Sequence, residues 1–241
     1  MDPIVFDEVL IITGPTAAGK SEVALLLAEQ LGGEIISMDS MAIYRGMDIG
    51  TAKPSAADRE RVPHHLIDVL EPWESASVAW WLEAATAACR DIQERGKPVI
   101  VAGGTPLYLK ALLRGLFAGP GGNPELRRRF QEHSATELHA LLQARDPETA
   151  SRLHPNDRKR LVRALEVLEL TGRPISEWQQ QFGTQRACRW PPLWLDLPRP
   201  ELHARINRRV ERMLDAGLLD EVRRLHQQGR PLSREAAEAA G

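Results

Sequence analysis

The chain has 241 residues, of which 43% are hydrophobic and 27% are charged, and its formal net charge is −2. These proportions exclude collagen-like, coiled-coil and fully disordered chains, and the overall charge gives no sign of nucleic-acid binding. The longest apolar runs, at 9–12 and 25–28, fall far short of the ~20 residues of a membrane helix, and the acidic start Met1-Asp2-Pro3 is no signal peptide, so we expect a soluble, cytoplasmic protein without a membrane partner.

Four short apolar runs predict buried strands, at residues 9–13, 34–37, 98–102 and 193–197. Helical patterns separate them: a stripe from Val23 to Leu31 that closes at Gly32-Gly33, another from 78 to 92 that closes at Gly96, and a third that begins at Thr105-Pro106. Continuous apolar strands that alternate with helices indicate a parallel sheet covered on both faces.

The stretch from 117 to 192 carries helix signals alone, including Asp146-Pro147 and an Asn156-Asp157 cap for a helix that ends at Gly172. We therefore expect a core at 1–116, a helical insert at 117–192, and a return to the core at 193–241. The last part contains an amphipathic segment broken near Gly217 and ends on a helical pattern at 234–240. We expect this C-terminal end to be truncated.

The strongest motif is a complete phosphate loop that follows the first strand and opens a helix: Gly14-Pro15-Thr16-Ala17-Ala18-Gly19-Lys20-Ser21. Its glycines let backbone N–H groups wrap a phosphate, Lys20 adds positive charge, and Ser21 can hold Mg²⁺. The motif predicts a phosphate or diphosphate ligand and leaves open whether that ligand is a nucleotide. Together with the alternation of strands and helices, the phosphate-loop motif predicts an α/β fold. We expect a P-loop NTPase-like parallel sheet that is flanked by helices and carries the helical insert.

A carboxylate on a further core strand commonly completes the metal site of P-loop enzymes. Here the strand at 98–102 runs into Gly103-Gly104-Thr105 without an acid, whereas Asp39 follows the second strand. Because parallel strands present their carboxyl ends at one sheet edge, Asp39 is expected to face the phosphate loop. A turn formed by Asp39-Ser40 is the alternative interpretation.

Beyond the phosphate loop, long tracts of the chain resemble the tRNA dimethylallyltransferase family. The most specific tract runs from Ile36 through Asp39-Ser40-Met41-Ala42 to Lys53-Pro54. The resemblance continues through four further tracts that extend over nearly the whole chain, Pro63-His64-His65-Leu66-Ile67-Asp68, Val101-Ala102-Gly103-Gly104-Thr105-Pro106-Leu107-Tyr108, His154-Pro155-Asn156-Asp157 and Arg163-Ala164-Leu165-Glu166.

The resemblance implies transfer of a dimethylallyl group from dimethylallyl diphosphate to the exocyclic amine of adenosine-37, beside the tRNA anticodon. Lys20, Thr16 and the loop amides, together with Mg²⁺ held at Ser21, would stabilise the departing diphosphate. Asp39 would accept the amine proton as general base. The adenine would have to leave its stack to reach a closed channel.

The same resemblance implies which residues contact tRNA. They are Asp39, Ser40, Met41, Ala42, Thr105, Arg127, Lys159, Arg160, Leu161, Val162 and Arg163. Thr105 is equally explained as a helix cap, and the basic run at 159–163 as a solvated helix face. Arg205 and Arg209 share one helix face and are candidates for binding diphosphate or tRNA phosphate, although five acids between Glu201 and Glu221 offset this basic row.

Three other functions stay open on the residues alone. The first is a small-molecule kinase that uses ATP, and the second is prenyl transfer to free adenine nucleotides. The third is a relative that binds tRNA or nucleotide without catalysis. We expect a monomer. Cys89 and Cys188 match neither a disulfide framework nor zinc-ligand spacing, so both are expected to be reduced and structural.

Overall fold

Five parallel strands form the central sheet in the computed structural model, which describes residues 8–117, 119–178 and 190–239. The strands are β1 (Val9–Thr13), β2 (Glu34–Ser37), β3 (His64–His65), β4 (Val99–Ala102) and β5 (Leu193–Trp194), in the spatial order β3-β2-β4-β1-β5. The predicted parallel sheet is confirmed. The sequence missed β3, which is two residues long and polar, and β5 is shorter than predicted because its partner β1 ends at Thr13.

Helices cover the sheet in the larger of two units, which comprises residues 1–113 and 186–241. These helices are α1 (Lys20–Leu31), α2 (Ala56–Arg61), α3 (Val78–Glu94) and the start of α4 (Pro106–Arg114). Helix α1 packs its small and apolar face on Ile35 and Ile100 of the sheet. Trp81 of α3 is fully buried, stacks on Tyr108, and donates its indole N–H to the Ser37 carbonyl at 3.0 Å. Trp81 is therefore a core residue, as its helical spacing predicted.

The smaller unit, residues 114–185, contains five helices in its described part. They are α5 (Pro124–Gln131), α6 (Ala135–Arg145), α7 (Pro147–Arg152), α8 (Arg158–Thr171) and α9 (Ile175–Trp178). Their core includes Leu138, Leu142 and Leu165. The predicted caps Asp157 and Gly172 do bound α8. The predicted insert boundaries, 117 and 192, differ from the borders of this unit by a few residues. Residues 179–189, which include Cys188, lie outside the described residues.

The chain after β5 forms α10 (Arg199–Asp215) and α11 (Leu218–Gln227), which meet at Gly217 as predicted. The predicted helix at 234–240 is wrong: only a 3-10 turn, Ala236–Glu238, is present in its described part. Isolated short helices are unstable in water, so tertiary contacts decide this segment. The Ser233 N–H donates to the Pro72 carbonyl, and Ala236 is buried beside Tyr44.

Two further expectations concern the whole chain. Among the described residues, no helix is both long and apolar enough to span a bilayer. Cys89 is buried and takes part in no disulfide bond, as predicted. Burial raises the pKa of its thiol to about 12, so the thiol stays protonated and unreactive at neutral pH.

A buried carboxylate anchors β2 at the amino edge of the sheet. Glu34, which is 1% exposed, accepts hydrogen bonds from Arg95 at 2.9 Å and Lys97 at 2.8 Å, and it contacts His65 at 2.7 Å. The pKa of the Glu34 carboxyl lies well below its usual range, mainly because Arg95 donates hydrogen bonds to the carboxylate. This network lies at the sheet edge opposite the phosphate loop, so its role is stability.

Glu34 should therefore make the fold sensitive to acid. A carboxylate whose pKa is depressed in the folded state contributes stability above its unfolded pKa and loses it as the pH falls. We expect the unfolding free energy of the wild type to decrease as the pH drops below about 4.5. Glu34→Gln should be about 1–3 kcal/mol less stable at neutral pH and show a flatter acid profile in urea titrations. Equal acid slopes for the two proteins would contradict this account.

Candidate active site

Three loops meet at the carboxyl edge of the sheet. They follow β1 (residues 14–21), β2 (38–42) and β4 (103–105), and β4 lies between the other two strands. The backbones approach so closely that a Cβ on Gly103 would lie 2.2 Å from the Met38 carbonyl oxygen, and one on Gly104 would lie 3.4 Å from Lys20 Nζ. Only glycine fits at 103, and this packing brings the Asp39 loop to the phosphate loop.

The phosphate loop has the backbone of an anion cradle. Gly14 has φ of 144°, and a Cβ there would lie 2.3 Å from the Leu195 carbonyl oxygen, so this position also requires glycine. Lys20 folds back and donates to the Pro15 carbonyl at 2.8 Å. Thr16 and Ser21 are exposed, the latter in the first turn of α1. The loop thus presents a lysine, two hydroxyls and a helix N-terminus to a ligand.

Asp39 is partly buried and held by its own loop. Its Oδ1 accepts hydrogen bonds from the backbone N–H of Met41 at 2.8 Å and of Ala42 at 3.2 Å. The backbone N–H of Ser40 donates to Thr105 Oγ1 at 3.1 Å. The Thr105 hydroxyl therefore ties the Asp39 loop to the end of β4. Within the described chain, Asp39 Oδ2 has no hydrogen-bond donor and is available to a ligand.

Charge concentrates between these loops and α10. Burial lowers the pKa of the Lys20 ammonium, the Asp39 carboxylate acts in the opposite direction, and the Arg209 guanidinium lowers it further. Burial likewise lowers the pKa of Arg209, which Asp39 raises. Two partly buried cations, Lys20 and Arg209, thus lie near the Asp39 carboxylate. Such a site has a surplus of positive charge and favours an anionic ligand.

The two arginines predicted on one face of α10 do reach this region. Arg205 Nη1 lies 3.9 Å from the Cβ position of Gly19, while another nitrogen of Arg205 pairs with Glu201 at 2.8 Å. Arg209 has no ion-pair partner in the described part of the chain, and it lines a cavity of about 900 Å³ together with Met213, Asp48, Ile49 and residues 52–56. The helix therefore extends from the phosphate loop to an adjoining cavity.

Two of the predicted tRNA contacts in the smaller unit, Arg127 and Arg163, bind a buried acid. Glu166 is 0% exposed and accepts hydrogen bonds from Arg127 at 2.8 Å and Arg163 at 2.6 Å. Burial alone would raise the pKa of Glu166, but these two arginines lower it below the ordinary value. Leu161 is fully buried in the core and Val162 packs on that core. Any RNA contact at 159–163 would therefore come from the flanking cations Lys159, Arg160 and Arg163.

Sequence reasoning missed two buried charges near the Asp39 loop. Lys53, whose side chain is 2% exposed, pairs with Asp48 and Asp68 and donates to the Tyr44 carbonyl. Glu221, one of the acids that offset the basic row, is 3% exposed and binds backbone N–H groups at 48–50. Lys53 lies in the tract that most specifically resembles the family, but that tract indicates no role for the Lys53 side chain. Nothing in the local sequence of Glu221 distinguishes it from a surface acid.

Family models match most of the chain. The model described as IPP transferase matches residues 42–241, and the model described as isopentenyl transferase matches residues 7–68. The chain therefore belongs to the IPP transferase family, and the resemblance noted from the sequence is confirmed.

The names of individual relatives agree with this family assignment. The chain is 52% identical over 219 residues to a protein of Citrifermentans bemidjiense named tRNA dimethylallyltransferase 1, with 90% of this chain and 72% of that protein covered. It is 51% identical to a tRNA dimethylallyltransferase of Halorhodospira halophila, with 92% of this chain and 73% of that protein covered.

Two solved structures are also similar. The full-length tRNA isopentenylpyrophosphate transferase of Bacillus halodurans matches at 38% identity with a TM-score of 0.65, covering 96% of this chain and 74% of that one. A eukaryotic dimethylallyltransferase that acts on tRNA matches at 30% identity with a TM-score of 0.75, covering 91% and 56%. These likenesses agree with the P-loop NTPase-like class predicted from the sequence.

Proposed function

We propose that this chain transfers a dimethylallyl group from dimethylallyl diphosphate to the exocyclic amine of an adenosine beside the tRNA anticodon, releasing diphosphate. The observation that carries the proposal is that two partly buried cations, Lys20 and Arg209, lie near the Asp39 carboxylate beside the phosphate loop. A diphosphate leaving group and a proton-accepting carboxylate are both needed for this reaction. The family and the names of its members agree with this chemistry.

The phosphate loop would bind the leaving group. As the bond between the allylic carbon and the diphosphate oxygen breaks, its electron pair moves onto the diphosphate. Lys20, Arg209 and the loop N–H groups are positioned beforehand to stabilise that developing charge. Partial burial strengthens their effect because water no longer screens it. Thr16 would add a hydroxyl donor, and Arg205 lies close enough to Gly19 to contact the same group.

Asp39 would act as the general base. The adenine amine is a weak nucleophile because its lone pair is delocalised into the ring. The amine nitrogen attacks the allylic carbon and loses a proton to Asp39 Oδ2 as the new bond forms. The two N–H groups that bind Oδ1 orient the carboxylate without occupying the oxygen that accepts the proton.

The donor set at the phosphate loop fits Mg²⁺. This ion usually keeps several water ligands and is bound by few protein oxygens together with substrate phosphates. The exposed Ser21 hydroxyl, next to Lys20, is such an oxygen. Mg²⁺ held there would neutralise charge on the diphosphate oxygens. No group of three or more His, Cys, Asp and Glu side chains in the described ranges could hold a metal by itself.

The tRNA would be recognised through residues of both units. In the larger unit, 39–42 and Thr105 are connected by hydrogen bonds, so a base inserted beside Asp39 would lie against this loop, although Ala42 itself is buried. In the smaller unit, Lys159 and Arg160 are exposed at the start of α8, where they can contact phosphates. Backbone contacts of this kind position the RNA, and the inserted base provides the specificity.

The reaction itself is the first test. Wild-type protein, incubated with dimethylallyl diphosphate, Mg²⁺ and unmodified tRNA, should yield dimethylallyl-adenosine detectable by mass. Asp39→Asn keeps an oxygen acceptor for the two loop N–H groups but cannot take a proton. Its single-turnover rate constant should fall about 10²–10⁴-fold. Its diphosphate affinity should be equal or higher, because a negative charge next to Lys20 and Arg209 is removed.

The outcomes of this test separate two claims. Absence of product with the wild type, when a known tRNA dimethylallyltransferase succeeds in parallel, would falsify the proposed function. Product at the wild-type rate from Asp39→Asn would reject the base assignment alone. An equal loss of turnover and diphosphate binding would show that Asp39 organises the pocket and takes no proton.

Binding of tRNA should weaken steeply with salt, since each phosphate that the protein binds releases counterions. Replacing Lys159 and Arg160 together by alanine should reduce the slope of log K against log salt concentration by about 1 for each phosphate that the variant no longer binds. The matched control replaces the exposed Arg128 and Arg129 of α5 by alanine, which removes the same charge from the same unit. Equal slopes for the two double variants would reject the start of α8 as a specific tRNA surface.

A further inference from the structure

The carboxylate of Glu221 is buried against backbone. It accepts hydrogen bonds from three consecutive N–H groups, those of Asp48 at 2.8 Å, Ile49 at 2.8 Å and Gly50 at 3.0 Å. Glu221 has no cationic partner in the part of the chain that the structure describes. A buried carboxylate is costly unless its oxygens are bound, so these three donors are what stabilise it in place. The contact joins α11 to a turn more than 170 residues earlier in the chain.

The turn at 48–50 belongs to the segment that leads away from Asp39. Within that segment, the Lys53 ammonium binds the Tyr44 carbonyl and the Asp48 carboxylate, which closes the loop on itself. Leu225, one helical turn after Glu221, is buried in the cluster that contains Ile43 and Tyr44. Helix α11 therefore supports the segment in two ways: Leu225 packs on Ile43 and Tyr44, and Glu221 accepts hydrogen bonds from the backbone of the 48–50 turn.

The same turn forms one wall of the cavity beside the reaction centre. Asp48 and Ile49 line the cavity together with residues 52–56, and Arg209, Arg212 and Met213 of α10 line it from another side. The Arg209 guanidinium interacts electrostatically with both the Lys20 ammonium and the Asp39 carboxylate. The position of the 48–50 turn therefore sets the width of the space next to the groups that would bind diphosphate and accept the proton.

We propose that Glu221 is a positioning residue for dimethylallyl transfer: through its three backbone hydrogen bonds it fixes the 48–50 turn, and thereby one wall of the cavity that Arg209 also lines. This inference rests on the proposed function and adds to it a residue of α11 that touches neither substrate. A displacement of a reacting group by about 1 Å can slow a reaction about 10²-fold, so a modest movement of this wall is enough to be measured.

The test compares Glu221→Gln with wild type in single turnover, with tRNA and dimethylallyl diphosphate saturating. The amide keeps one acceptor oxygen, but its NH2 group replaces the other and turns a donor toward at least one N–H group of the turn. We expect the rate constant to fall about 10–100-fold, while diphosphate affinity at the phosphate loop and the shape of the pH profile stay unchanged. Amide hydrogen exchange at 48–50 should accelerate. A first-order rate constant does not depend on the amount of folded enzyme, so a loss of stability alone would leave it unchanged.

Two variants serve as controls on the same helix. Asp220→Asn removes the neighbouring exposed carboxylate, which pairs with Arg223, and should behave as wild type. Leu225→Ala removes packing on Ile43 and Tyr44 but keeps the three hydrogen bonds of Glu221 to the 48–50 turn, so it should lower the melting temperature with little effect on the rate constant.

A second route perturbs the same contact if Glu221→Gln fails to fold. Gly50→Ala would place a methyl group inside this contact, 3.2 Å from Leu218 Cδ1 and 3.6 Å from Glu221 Oε1, and the resulting shift of the turn relative to α11 should slow transfer in the same way. Wild-type rates in both Glu221→Gln and Gly50→Ala would overturn the inference and leave the proposed function standing. An inactive wild type would reject the proposed function instead. In that case, unchanged exchange at 48–50 in Glu221→Gln would also reject Glu221 as the residue that fixes the turn, and accelerated exchange would support that structural part of the inference alone.

Discussion

The contact between the loops after β2 and β4 is the constraint on which the site depends. A methyl group at Gly103 would overlap the Met38 carbonyl oxygen, so the two loops can lie this close only with glycine at that position. Asp39 follows Met38 directly, and Gly104 lies against Lys20 of the phosphate loop. The distance between the anion cradle and the carboxylate is therefore set by backbone packing at the edge of a rigid parallel sheet, and side-chain flexibility has little influence on it.

This geometry explains how one fold can separate the two tasks of the reaction. The loop after β1 carries the positive charge for a leaving group, and the loop after β2 carries the acceptor for a proton. Helix α10 adds Arg209 between them, partly buried and without an ion-pair partner among the residues described. Hydrogen bonds inside the Asp39 loop, and from Ser40 to Thr105, orient the carboxylate before any substrate arrives. Preorganisation of this kind avoids reorganisation during the reaction.

Much of this could be predicted from the sequence, for identifiable reasons. The phosphate loop is a local motif, and the apolar strands place Asp39 at its edge through a general rule of parallel sheets. The helical spacing of Arg205 and Arg209 predicted that both share a face. In contrast, the roles of Lys53 and Glu221 depend on partners that are distant in the sequence or that belong to the backbone. The local sequence around Lys53 and Glu221 does not distinguish them from ordinary surface charges. Contacts between distant segments likewise override the helical pattern after Arg234.

The most direct measurement is a crystal structure of the protein with Mg²⁺ and a dimethylallyl thiodiphosphate that cannot react. The account predicts that its diphosphate lies in the loop at residues 14–21 and that its allylic carbon lies about 6 Å from the Asp39 carboxylate. That distance leaves room for one amine nitrogen within hydrogen-bond reach of the carboxylate and within attacking distance of the carbon. A diphosphate bound elsewhere, or an allylic carbon that Asp39 cannot reach through one intervening atom, would contradict the account.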